Sequence, residues 1–233
     1  MGTRYVTCAT EITALGARIA RMTSDVSVSV QQTNNPPCVL FPVHSEEDRH
    51  YHTLEHLADM LEHADRDFPS LRCPRLVQLA IFFHDLVYDP KSGSNEEDSE
   101  VLFRKFSEAA GLNPSDAGKV SEYILATKRH NASGSDDQDL RAFIDLDMAV
   151  VGRERSAYLA YASQIRQEYI HVPAETYCQK RAEILRDFLD EGSIFSTEEY
   201  RRTLEASARA NVAAEVDMIS KGAIPMLTEQ IVS

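Results

Sequence analysis

The chain has 233 residues, 43% of them hydrophobic, and a formal net charge of -13. Length and apolar content allow one sizeable core and exclude disorder over most of the chain. The acidic balance argues against non-specific nucleic-acid binding, which depends on lysine and arginine neutralising phosphates, and no apolar run is long enough to span a bilayer.

Residues 1–48 form a variable segment in which a short helix is expected over 11–22 and a weakly alternating, strand-like stretch over 23–30. Gln31-Gln32-Thr33-Asn34-Asn35-Pro36-Pro37 is a loop by composition. The amino terminus lacks the apolar stretch of a secretory signal. Cys8, Cys38, Cys73 and Cys178 are widely spaced without a CxxC pair, so they signal neither a disulfide framework nor a structural zinc site, and a reduced, cytoplasmic setting is expected.

From residue 49 the pattern is helix after helix, as far as a tail over 221–233. A first helix is predicted over 50–67, closed by Pro69, and a second over 74–88, with Pro74 in the first turn where its missing N–H does no harm. Ser94-Asn95-Glu96-Glu97 has the form of a capping box opening a helix to about residue 110. Further helices are predicted over 113–128, 136–149, 154–170 and 173–189. Ser196-Thr197-Glu198-Glu199 is a second capping box, for a final helix to about residue 220. No alternating β pattern occurs after residue 48, so the fold class is all-α, a helical bundle over 49–220 whose helices converge side chains on a core site.

The chemistry centres on Ile81-Phe82-Phe83-His84-Asp85-Leu86-Val87, a histidine and an aspartate inside an apolar run. A carboxylate in such surroundings needs a partner, and a divalent cation is one that accepts both imidazole and carboxylate. Upstream, Arg49-His50-Tyr51-His52-Thr53-Leu54-Glu55-His56-Leu57 places His52 and His56 four residues apart, about 40° from one another on a helix. Leu57, Met60 and Leu61 continue that stripe, while His63 reads as incidental. Ala126-Thr127-Lys128-Arg129-His130-Asn131 ends a helix with cations that suit the helix dipole or a phosphate. In Phe143-Ile144-Asp145-Leu146-Asp147-Met148 the two aspartates would point about 200° apart on a helix, so at most one can face a given metal.

Together these segments resemble the HD superfamily of metal-dependent phosphohydrolases, and more narrowly a family within it known as predicted HD-type metal-dependent phosphohydrolases. The narrower likeness rests on Arg49 to His56, Phe83-His84-Asp85-Leu86-Val87-Tyr88-Asp89, Asn95-Glu96-Glu97-Asp98-Ser99, Thr127-Lys128-Arg129-His130 and Asp145-Leu146-Asp147-Met148. It continues through Ile165-Arg166-Gln167-Glu168-Tyr169, Tyr177, Arg181 and Glu205-Ala206-Ser207-Ala208-Arg209-Ala210-Asn211, covering roughly residues 49–215. The chain departs from the family's usual beginning, a tryptophan-bearing helix, because it has no Trp.

The resemblance implies an HD-domain helical bundle with a metal site between core helices. Its metal ligands are His56, His84, Asp85 and one of Asp145 and Asp147. Asp147 is preferred, because related enzymes set their last aspartate between apolar residues, and Asp145 then orients a ligand histidine. The cofactor is a divalent ion, Mn, Mg, Co, Zn, Ni or Fe. His52, Asp85 and His130 are the expected catalytic residues, with His52 and His130 serving either a second metal or the substrate. Arg49, Asn95, Glu96, Lys128 and Arg166 are the expected contacts to a small phosphorylated substrate, a phosphate ester or nucleotide hydrolysed through a metal-activated water. Two other readings stay open: a di-iron HD-type oxygenase, and a non-catalytic metal-containing domain that binds a nucleotide. No membrane partner is expected, and homodimer formation is left open.

Overall fold

A computed structural model of the chain describes residues 48–224, and the sequence expectations for the first 47 residues lie outside this range. Helix accounts for 68% of the described residues, with no strand among them, which makes the fold all-α. They form two compact units that divide between Arg129 and His130.

In the first unit, α1 (Leu54–Asp67) precedes α2 (Pro74–Phe83), α3 (Asn95–Ala109) and α4 (Pro114–Ala126). The core-facing side of α1 carries His56, Leu57, Met60, Leu61 and Ala64, a helical stripe that includes one imidazole. α2 packs against α1, α3 and α4. Leu76, Val77 and every residue from Leu79 to Phe83 are buried, as expected of a helix apolar on nearly all sides. The Phe83 ring meets Phe103 and Phe106 of α3 at 5.2 and 5.0 Å, distances typical of attractive aromatic pairs. A helix so enclosed delivers the next two residues of the chain, His84 and Asp85, toward the interior of its unit.

The signals at the start of α4 act as read: Pro114 opens it and the Asn113 side chain accepts from the Ser115 amide. α3 ends on Gly111 at φ 65°, a left-handed conformation that favours glycine. The capping box at Ser94 does not form. Ser94 instead donates to Asp98 at 2.9 Å, and Glu97 pairs with Lys128, which holds the Glu97 carboxyl below its ordinary range. A lysine brought from beyond α4 by the tertiary fold outcompetes the local cap.

The second unit contains α5 (Gln138–Met148), a 3-10 turn (Ala149–Gly152), α6 (Arg155–Glu168), α7 (Ala174–Asp190), α8 (Glu198–Thr203) and α9 (Glu205–Ser220). Asp137 caps α5 by accepting from the amides of Asp139 and Leu140. The single final helix expected from about residue 196 is instead two, broken at Leu204, and Thr197 rather than Ser196 is the cap. The break lies against Gly152, where an added Cβ would lie 2.6 Å from Leu204 Cβ and 3.0 Å from its carbonyl oxygen. Asn211 of α9 donates to the carbonyls of Val151 and Arg153 at 3.0 and 2.8 Å, tying α9 to the same turn. Under these helices Glu215 is fully buried; it accepts from Arg181 at 2.9 Å and from the Tyr158 hydroxyl. Burial and the adjacent Glu215 charge push the Tyr158 hydroxyl far above its ordinary value.

No helix among the described residues is long and apolar enough to cross a membrane.

Candidate metal centre

The helix expected over 74–88 stops at Phe83, and His84 and Asp85 lie in the turn beyond it. The last carbonyls of a helix have no partner within it, and here side chains bond one of them and the backbone just beyond. His84 Nδ1 lies 2.9 Å from the Ile81 carbonyl. The Arg49 guanidinium donates to the carbonyls of Asp85 and Leu86 at 2.8 and 3.1 Å. Ser99 accepts from the Val87 amide at 2.9 Å. The turn is thus held from α3 and from the chain just ahead of α1.

His52 and His56 do not share a helical face. α1 starts only at Leu54, Thr53 is extended, and its amide donates to the Tyr51 carbonyl at 2.8 Å. The turn nevertheless keeps the histidines close, with ring centroids 6.1 Å apart. His52 stacks on Tyr88 at 4.2 Å, and Tyr51 lies 4.8 Å from His56. The His56 and His84 rings are 5.6 Å apart.

His56, His84 and Asp85 each direct one ligand atom into a cluster whose members lie within 4.8 Å of one another. Metal bonds of about 2.1 Å place donor atoms up to about 4.2 Å apart, a size this cluster approaches. His56 and His84 are 6% and 1% exposed, whereas the Asp85 side chain is 18% exposed, so the cluster has a buried floor and an accessible edge.

The chemistry of the donors fits a cation. A carbonyl only accepts, so His84 Nδ1 carries a proton toward Ile81 and a neutral ring presents its lone pair at Nε2. That Nε2 faces Asp85 Oδ2 at 2.9 Å. Two electron pairs at this separation repel unless a positive species lies with them, either the second ring proton or a metal ion. A third donor, His56, turned to the same place is what a metal uses and a simple ion pair does not need.

The other expected site residues fall into two groups. In the first unit, Arg49 is 6% exposed and donates to the carbonyls of His52, Asp85 and Leu86, so it holds backbone where a phosphate contact was expected. Asn95 bridges both backbone groups of Asp89 at 3.0 Å. Lys128 pairs with Glu97, lies 3.9 Å from Glu96 and donates to the Gly93 carbonyl at 3.0 Å. These contacts staple the loop ahead of α3.

In the second unit, His130 adopts φ 46° and sets Nε2 3.2 Å from Asp147 Oδ2. Asp145 does not orient a histidine. It accepts from the amides of Ser196 and Thr197, both at 2.7 Å, and from the Thr197 hydroxyl at 2.5 Å, capping the chain as it enters α8. Burial pushes the Asp145 carboxyl up to about 6 against the pull of these donors. The expected 200° divergence of the two aspartates matches their separate partners. Arg166, expected to touch substrate, donates to the carbonyls of Tyr169 and Val172 at 2.6 and 3.2 Å and lies over the Tyr177 ring at 4.7 Å. It closes the end of its own helix.

Sequence reasoning assigned no role to Tyr51, Tyr88 or Ser99. Both tyrosines stand within the quoted motifs, and the adjacency of Tyr51 to His50 and His52 was the available signal. Nothing in its spacing marks Ser99, a buried hydroxyl on a largely exposed helix.

Compared with protein-family models, curated proteins and solved structures, the chain gives no match in any of the three.

Proposed function

We propose that the protein is a metal-dependent phosphohydrolase of the HD type, acting on a small phosphate ester or nucleotide. The observation that carries this reading is the convergence of His56, His84 and Asp85, with His84 Nε2 facing the Asp85 carboxylate at 2.9 Å. The resemblance of the surrounding motifs to HD phosphohydrolases supplies the reaction class.

His56 and His84 would hold a divalent ion through ring nitrogens and Asp85 through a carboxylate oxygen. When bound, such an ion polarises phosphoryl oxygens and acidifies water. Among the described residues three donors converge, and a site of three protein donors would leave room for water or substrate, a feature of catalytic rather than structural sites. Beside this cluster, Tyr88 fixes the His52 ring by stacking, leaving an imidazole placed to give or take a proton. The Ile81 carbonyl fixes the tautomer of His84, and Tyr51 packs on His56.

Metal analysis of the purified full chain, followed by a screen of phosphate esters and nucleotides with added Mn, Co or Mg, tests the reading. Bound divalent metal with phosphate release is the expected result. Two irons per chain without phosphate release would favour the oxygenase, and metal without turnover on any ester would favour a binding domain.

A further inference from the structure

We infer that Arg49 is a positioning residue for the metal site, the clamp that sets the spacing between its two ligand-bearing segments, and not a substrate cation. The inference rests on the metal reading above. Arg49 is 6% exposed and lies just ahead of α1, the helix that carries His56. Its Nη1 donates to the His52 carbonyl at 3.2 Å on that side and to the Asp85 carbonyl at 2.8 Å on the other. Its Nη2 donates to the Leu86 carbonyl at 3.1 Å. One guanidinium therefore joins the turn preceding α1 to the turn following α2, and the second turn is the one that presents His84 and Asp85.

The chemistry requires arginine. A planar fork with donors on separate nitrogens reaches carbonyls in two segments at once, whereas a lysine ammonium, a point charge on a flexible stem, cannot reproduce that geometry. The positive charge also sits where carbonyl oxygens gather past the end of α2, the favourable side of the helix dipole. Tyr88 completes the clamp: the guanidinium carbon lies 5.4 Å from the centroid of the ring on which His52 stacks. Without Arg49, buried carbonyls lose charge-assisted partners and the two turns are free to separate. The three donors would then be held less closely to the spacing that one ion needs.

Co(II) titration of the full chain, read by visible absorption and by calorimetry, tests this with Arg49→Ala and Arg49→Lys beside the wild type. Loss of an outer-shell partner to metal ligands typically weakens binding about 10- to 100-fold, and that loss is expected in the folded Arg49→Ala protein, together with a changed Co(II) ligand-field spectrum. Arg49→Lys is expected to fold, restore part of the affinity and keep an altered spectrum. If a variant has wild-type Co(II) affinity and spectrum but binds inorganic phosphate more weakly, Arg49 is a substrate cation and the inference fails. Wild-type affinity and spectrum with only a lowered melting temperature would also overturn it, as would failure of both variants to fold, which would make Arg49 a folding residue. A wild-type chain that binds no Co(II) would instead defeat the metal reading itself.

Discussion

His84 Nε2 lies 2.9 Å from Asp85 Oδ2 although the residues are neighbours in sequence and the opposite ring nitrogen is committed to the Ile81 carbonyl. Consecutive side chains in a continuing helix diverge by about 100°, so this approach depends on α2 ending at Phe83. Asp85→Ala is expected to abolish stoichiometric divalent metal binding while leaving the far-ultraviolet circular dichroism of the helices nearly unchanged, because Asp85 lies outside α2. Metal content measured on the dialysed variant decides the matter, and full retention would remove Asp85 from the site.

Asp145 and Glu205 hold the same connecting segment through opposite titration behaviour. Burial raises Asp145 to about 6. Burial also opposes ionisation of Glu205, yet donors led by the Ile194 and Phe195 amides overcome it and hold the carboxyl below its ordinary range. A raised folded-state value means that Asp145 contributes stability fully present below the ordinary aspartate range near 4 and lost as pH rises through about 6. Asp145→Asn places an amide donor against backbone donors and is expected to destabilise by about 1–3 kcal/mol. Urea unfolding at pH 4 to 7 should show the gap between wild type and variant narrowing as pH rises. A gap that widens would mean that the amide and hydroxyl donors outweigh burial.

Gly152→Ala is expected to destabilise the second unit by about 1–3 kcal/mol, the usual range for overpacking. The added methyl would meet Leu204 Cβ and backbone where α8 hands over to α9. Thermal unfolding of the variant measures this, and an unchanged midpoint would show that the α8–α9 break shifts freely.

Glu215→Gln tests the buried network of the second unit. Glu215 is fully buried and accepts from Arg181 and Tyr158, so the variant leaves the guanidinium without its counter-charge. Breaking such a pair typically costs about 3–5 kcal/mol. Chemical denaturation should show a loss of that order, with metal binding retained because His56, His84 and Asp85 belong to the first unit.

Much of the helical order is legible because proline, the Asn113 cap and apolar stripes act locally. α2 and α4 start at Pro74 and Pro114, and the stripe through Leu57, Met60 and Leu61 marks the buried side of α1. Element ends are less legible. The apolar pattern carries α2 through residue 88 because nothing local breaks it: its terminating partners are Arg49, 36 and 37 residues away, and Ser99. The capping box at Ser94 fails for the same kind of reason, since Lys128 comes from a distant part of the chain.

For the site, sequence by itself determined the donor chemistry: an aspartate and histidines set within apolar stretches need polar or cationic company once buried. The assignment of Asp147 as a further ligand rests on resemblance alone. Tertiary structure decided which cations are committed to backbone, because a guanidinium or ammonium near a motif reads alike whether it meets a phosphate or a carbonyl. It also decided that His84 and Asp85 leave the helix and face one another. That outcome turns on long-range hydrogen bonds to a helix end, whose partners residue spacing does not reveal.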